Sequence, residues 1–185
     1  MRAYAYIVGP PDGPGAALAE MAQGLGFAGV SPFSTIAQAE AQTQSTPICF
    51  FLFAATEDPA SLRGVADSIR FSPSRRLRFS PLIYVSESPS VEAISACLNM
   101  GFDDIITMPF TRRRLLERIT RQVGTSLVYY ETASYFGPDR RNRITAPGRP
   151  AESRLGGQFR RLEIVRNLLS GINVLRDDHF TSPVS

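Results

Sequence analysis

Residues 80–119 read SPLIYVSESPSVEAISACLNMGFDDIITMPFTRRRLLERI, and the alternation inside this stretch decides the fold. Pro81 to Ser86 is a short, almost wholly apolar run, the pattern of a strand covered on both faces. Ser90 to Met100 follows with Val91, Ile94, Cys97 and Leu98 on one helical stripe, and Gly101 stops it. Ile105 to Thr107 is a brief second strand, followed by Met108-Pro109-Phe110. Thr111 can cap a helix reaching about Leu127, with Leu115, Ile119, Val123 and Leu127 inward. Strand, helix, strand, helix with crossovers of this length demands parallel pairing.

Working outward, the upstream sequence repeats the pattern. Ala3 to Val8 reads as a strand ending in the turn cluster GPPDGPG, and Ala16 to Leu25 as a helix closed by Gly26. Gly29 to Phe33 is a short strand, Thr35 to Gln42 a short polar helix, and Pro47 to Ala54 a continuous apolar central strand. Ser61 to Phe71 places Leu62, Val65, Ala66 and Ile69 on a stripe. Five strands alternating with five helices predict an α/β, flavodoxin-like doubly wound parallel sheet of order 2-1-3-4-5. Ligands of such sheets bind beyond the carboxyl ends of the strands, so the residues ending strands one, three, four and five are the ones to inspect.

The quoted stretch resembles the second half of a response-regulator receiver domain, the CheY-like family. That family carries an apolar strand ending in Ser or Thr, a helix ending in Ala-Gly-Ala-Asp-Asp, a short strand, Lys-Pro-Phe and a final helix. Here Ser86 stands at the Ser/Thr position, Gly101-Phe102-Asp103-Asp104 matches the glycine and acidic pair, and Met108-Pro109-Phe110 matches Lys-Pro-Phe. The resemblance covers residues 2 to 125 and implies the receiver fold and a place in bacterial two-component signalling. It also implies that Asp103 and Asp104 are turn and capping residues, away from any phosphorylation pocket.

The departures from the family concern its chemistry. A working receiver holds Mg²⁺ with an acidic pair after strand one and an aspartate ending strand three, and that aspartate accepts phosphate. Mg²⁺ is a hard cation that needs such oxygen ligands. The resemblance puts the acidic pair at Gly9 and Pro10, the acceptor at Phe53 or Ala54, and the phosphoryl-clamping lysine at Met108. Gly9, Pro10, Phe53, Ala54, Ser86 and Met108 therefore form a degenerate pocket with no expected metal, no cofactor and no catalytic residue. The alternative is a shifted register in which Asp58 or Glu57 accepts phosphate and Asp12 helps to bind the metal. Both acids otherwise read as loop residues ahead of the next helix.

Composition narrows the function classes. The chain has 185 residues, a net charge of +3 and no lysine, so all 20 basic residues are arginine. Schiff-base and P-loop chemistry, which need an ammonium group, are excluded. One histidine, His179, and no evident nucleophile–base pair argue against an enzyme. Cys49 and Cys97 sit in apolar segments and read as buried thiols, not a disulfide or zinc site. No apolar run approaches the ~20 residues of a membrane span, and the N-terminus lacks a signal-peptide pattern, so a cytoplasmic protein is expected.

Four segments are expected: a receiver-like domain over 1–128, an Arg/Gly/Pro-rich arm over 129–158, an amphipathic helix over 159–176 and a frayed tail over 177–185. The helix rests on Phe159, Leu162, Val165, Leu168 or Leu169, Ile172 and Leu175 forming one stripe. Receivers commonly meet partners through the face of their fourth helix, fifth strand and fifth helix. On this sequence that face draws on Ser90, Glu92, Ser95, Asn99, Arg112, Arg113, Arg114, Glu117, Arg118 and Arg121. In the arm, Tyr135 and Phe136 are candidate aromatic anchors, with Arg140, Arg141 and Arg143 as planar donors. The expected partners are signalling proteins (a histidine kinase, a phosphotransferase or another regulator) and a second copy of the chain. The arm's arginines leave a nucleotide- or nucleic-acid-responsive module as a further alternative, although nothing resembles a helix-turn-helix or zinc finger.

Overall fold

The computed structural model describes residues 1–86, 89–107, 111–139 and 158–181. Five strands, β1 (Tyr4–Val8), β2 (Gly29–Pro32), β3 (Cys49–Ala54), β4 (Leu82–Ser86) and β5 (Asp104–Thr107), pair in parallel in the order β2-β1-β3-β4-β5, as expected. Between them run α1 (Gly13–Gln23), α2 (Ile36–Ser45), a 3₁₀ turn (Pro59–Leu62), α3 (Arg63–Arg70), a single-turn α4 (Arg75–Arg78) and α5 (Val91–Asn99). After β5 comes α6 (Arg112–Thr120). Hydroxyl caps start three of these helices. Thr35, Ser90 and Thr111 accept from the amides of Gln38, Ala93 and Arg114 at 3.2, 3.1 and 3.2 Å. The central strand β3 is buried along its whole length, which its unbroken CFFLFA sequence requires. Among the described residues no helix is long and apolar enough to cross a membrane.

The chain departs from expectation after Thr120. The final helix ends there instead of running to Leu127, and Gly124, at φ +74, turns the chain into β6 (Ser126–Glu131). A second, antiparallel sheet follows in the order β7-β6-β8-β9, with β7 (Phe136–Pro138), β8 (Phe159–Asn167) and β9 (Gly171–Phe180). The start of the expected arm is thus the end of β6 and all of β7, while 140–157 lie outside the described residues.

The amphipathic helix over 159–176 is corrected to a β-hairpin, which reaches into the expected tail as far as Phe180. A spacing of three fits a helical stripe, but a different set, Leu162, Ile164 and Arg166, obeys a period of two. Leu162, Ile164 and Arg166 are buried, whereas Glu163 and Val165 between them are only partly covered. Asn167 makes the turn by accepting from the amides of Leu169 and Ser170 at 2.8 and 3.1 Å, and Gly171 takes φ +87.

The parallel sheet buries an apolar cluster on each face. Tyr6, Phe51, Phe53, Tyr84 and Phe102 gather with α3 residues on one side. Ile7, Phe50, Ile83 and Leu115 gather on the other, and there Tyr129, Phe136, Leu162, Ile164 and Ile172 of the second sheet join the same cluster. Cys49 and Cys97 are buried free thiols, and burial pushes the Cys49 thiol up to about 12.

Candidate functional site

At the carboxyl edge of the parallel sheet, β1 ends at Val8 beside Phe53 of β3. Gly9 follows at φ +153, and a β-carbon built there would stand 2.9 Å from the Ala54 Cβ. The first turn of α1 folds back as tightly, since a β-carbon on Gly15 would lie 1.8 Å from the Pro10 carbonyl oxygen. Glycine is thus needed on both sides of this turn.

The expected pocket mouth is only partly assembled. Phe53 does not reach it, because successive strand residues face opposite ways. Its ring is fully buried on the far face, 4.6 Å from that of Phe102. Ala54 packs on the α1 side, and the half-buried Ala55, unremarked in the sequence, lines the mouth with Val85 and Ser86. Met108 lies outside the described residues. The mouth opens into a groove of about 960 Å³ between α1 and α6, walled by Pro14, Ala17, Leu18, Met21, Leu25 and Leu115. Arg112 spans it and donates to the Gly24 carbonyl.

A magnesium ion does not suit this donor set. Gly9, Pro10, Ala54 and Ala55 offer no side-chain oxygen, and Ser86 offers one neutral hydroxyl. Asp12 precedes α1 and is exposed, Glu57 is exposed, and Asp58 caps the 3₁₀ turn by accepting from the Ala60 amide at 3.0 Å. Among the described residues no three His, Cys, Asp or Glu side chains gather to hold a metal ion.

The strand order decides the architecture. The parallel layer has the receiver fold. No protein-family model matches the chain, and no curated protein matches it either. Solved structures similar to it include the receiver domain of a sensor histidine kinase from Pseudomonas aeruginosa, at 20% identity, covering 66% of this chain and 98% of that one, TM-score 0.48. A putative pilus assembly protein (cpaE) from Burkholderia thailandensis is 18% identical over 66% of this chain and 98% of its own, TM-score 0.48. A CheY-like protein (tadZ) from Pseudomonas aeruginosa is 14% identical over 65% and 98%, TM-score 0.47.

The strongest electrostatics of this receiver layer lie at the opposite edge. Asp103, just before β5, accepts from Arg70 at 2.6 Å, from Arg166 at 2.7 Å, from the Leu82 amide at 2.9 Å and from the Tyr129 hydroxyl. Arg70 also donates to the carbonyls of Gly101, Arg78 and Ser80 at 2.9, 2.8 and 2.8 Å. Arg166 reaches the Phe79 carbonyl at 2.7 Å and the backbone and side chain of Gln122 at 3.3 and 3.2 Å. Burial by itself would raise the Asp103 carboxyl; the two guanidiniums and the hydrogen bonds from Arg166 and Tyr129 outweigh that and hold it down at about 2. The turn role expected for Asp103 is therefore corrected: it joins the receiver layer to the second sheet.

The neighbouring Asp104 ties β5 to α6 through a two-point pair with Arg118, whose Nε lies 2.7 Å from Oδ2. Arg118, with its side chain 30% exposed, is thereby held by this pair. Arg113 is exposed, within 3.6 Å of Glu117, and Arg114 and Arg121 are exposed beside it. Of the two aromatic anchors, Phe136 is buried against Phe79 at 5.1 Å with the Arg78 guanidinium 4.0 Å above its ring. Tyr135 donates to the Pro138 carbonyl at 3.2 Å. Both serve the second sheet. Arg140, Arg141 and Arg143 lie outside the described residues.

Sequence reasoning missed Arg70, Tyr129 and Arg166. The one signal available was an arginine on the apolar parity of a strand, Arg166 after Leu162 and Ile164, which is legible only once 159–167 is read as β.

Proposed function

We propose that this chain is a receiver-fold signalling protein of two-component type that acts by binding other proteins and does not carry phosphate. The observation that carries the reading is the contact between Gly9 and Ala54. Where a phosphorylatable receiver needs two acidic side chains and an acceptor, Gly9 sits at φ +153 with the Ala54 Cβ 2.9 Å from where its own β-carbon would stand, a position that disfavours any side chain. Among the described residues Ser86 brings the mouth one neutral hydroxyl, and Gly9, Pro10, Ala54 and Ala55 bring no side chain that could ligate a metal or neutralise a phosphoryl group. The same reading makes the chain an adaptor or regulator and not an enzyme.

Partner recognition falls to the surface of α5, β5 and α6, where Arg113, Arg114 and Arg121 project donors that suit a carboxylate-bearing face. A histidine kinase, a phosphotransferase, another regulator or a second copy can supply such a face. Incubation with acetyl phosphate and Mg²⁺ tests the first half of the proposal. No stoichiometric label is expected; an acid-stable, alkali-labile phosphate on the chain would overturn it. For the second half, proteins captured by the full chain from its native cells should be lost when Arg113, Arg114 and Arg121 are all changed to Glu. Undiminished capture by that folded variant would remove the assigned surface.

A further inference from the structure

We draw no further inference here: the strongest candidate, the apolar groove between α1 and α6 with Ser86 at its mouth and Arg112 across it, carries none because nothing in the structure shows what covers it.

Discussion

Asp103 is one carboxylate facing two guanidiniums, all of them withdrawn from water, with side-chain exposures of 2%, 1% and 0% for Asp103, Arg70 and Arg166. Burying charges is costly, and only the nearly complete set of hydrogen bonds makes the arrangement tolerable. Asp103→Asn keeps the shape and removes the charge, leaving two buried cations without a counter-ion. A loss of about 3–5 kcal/mol is expected in urea unfolding. The pH dependence follows with a definite sign. The Asp103 carboxyl is held near 2 in the folded chain, against 3.8 ordinarily, so its contribution is complete above about pH 4 and disappears as pH falls from about 4 toward 2. Stability measured across that window should drop more steeply in the natural chain than in Asp103→Asn. At the carboxyl edge, Gly9→Asp asks a β-carbon to occupy a left-handed backbone position 2.9 Å from Ala54. It should destabilise by about 1–3 kcal/mol and yield no Mg²⁺ binding by calorimetry, since one acid cannot build the site. A stable, Mg²⁺-binding variant would show that this turn can rearrange.

Elements differ in how openly their sequences declare them. Strands β3 and β4 are short apolar runs bounded by Pro or polar residues, and the helix after β4 carries a hydroxyl cap in Ser90, so the receiver layer is legible from local pattern. The second sheet is not, because its evidence is long-range. Phe159, Leu162 and Val165 fit a helical stripe, and the competing alternation of Leu162, Ile164 and Arg166 gains weight only once Arg166 is known to point inward at Asp103. Cross-strand charge pairs were hidden for the same reason: Arg160 with Asp177 at 2.6 Å, and Arg161 with Asp178 at 3.5 Å, become neighbours only in the hairpin register. The candidate site divides likewise. Gly9 and Ser86 can be placed by strand ends, whereas the resemblance puts the acceptor position at Phe53 or Ala54, and only the strand's parity in the structure turns Phe53 away from the mouth. The hairpin also has a local requirement that can be tested. Gly171 turns at φ +87 with its nearest neighbours at ordinary contact distance, so Gly171→Ala introduces backbone strain without a clash. A loss of about 1 kcal/mol is expected from thermal unfolding. No loss would mean that the turn does not hold this conformation in solution.

At the scale of the molecule, the two sheets share a core and a charge network, which leaves little for either to stand on alone. Tyr129, Phe136, Leu162, Ile164 and Ile172 pack into the same apolar cluster as Ile7, Phe50, Ile83 and Leu115. The joint is also close in the backbone: a β-carbon on Gly101 would lie 2.2 Å from the Phe136 carbonyl oxygen, so β7 rests directly on the turn between α5 and β5. Asp103 and Asp104 stand side by side at this joint, one bound to β8 through Arg166 and the other to α6 through Arg118. Separating the sheets would expose Asp103 and Arg70 to partial solvation, strip Arg166 of its partners and uncover Phe79 and Tyr129. A partly opened form is therefore much less stable than either the native or the fully unfolded chain, and unfolding should be a single transition. Arg166→Met tests this, since it preserves most of the side-chain volume while removing the donors to Asp103, Phe79 and Gln122. Peptide-resolved hydrogen exchange at rising urea should show α3, β4 and β5 losing protection together with β6, β8 and β9, in the natural chain and at lower urea in the variant. If β8 and β9 exchange freely while β4 and β5 stay protected, the sheets are separate units and the Asp103 network only decorates their contact.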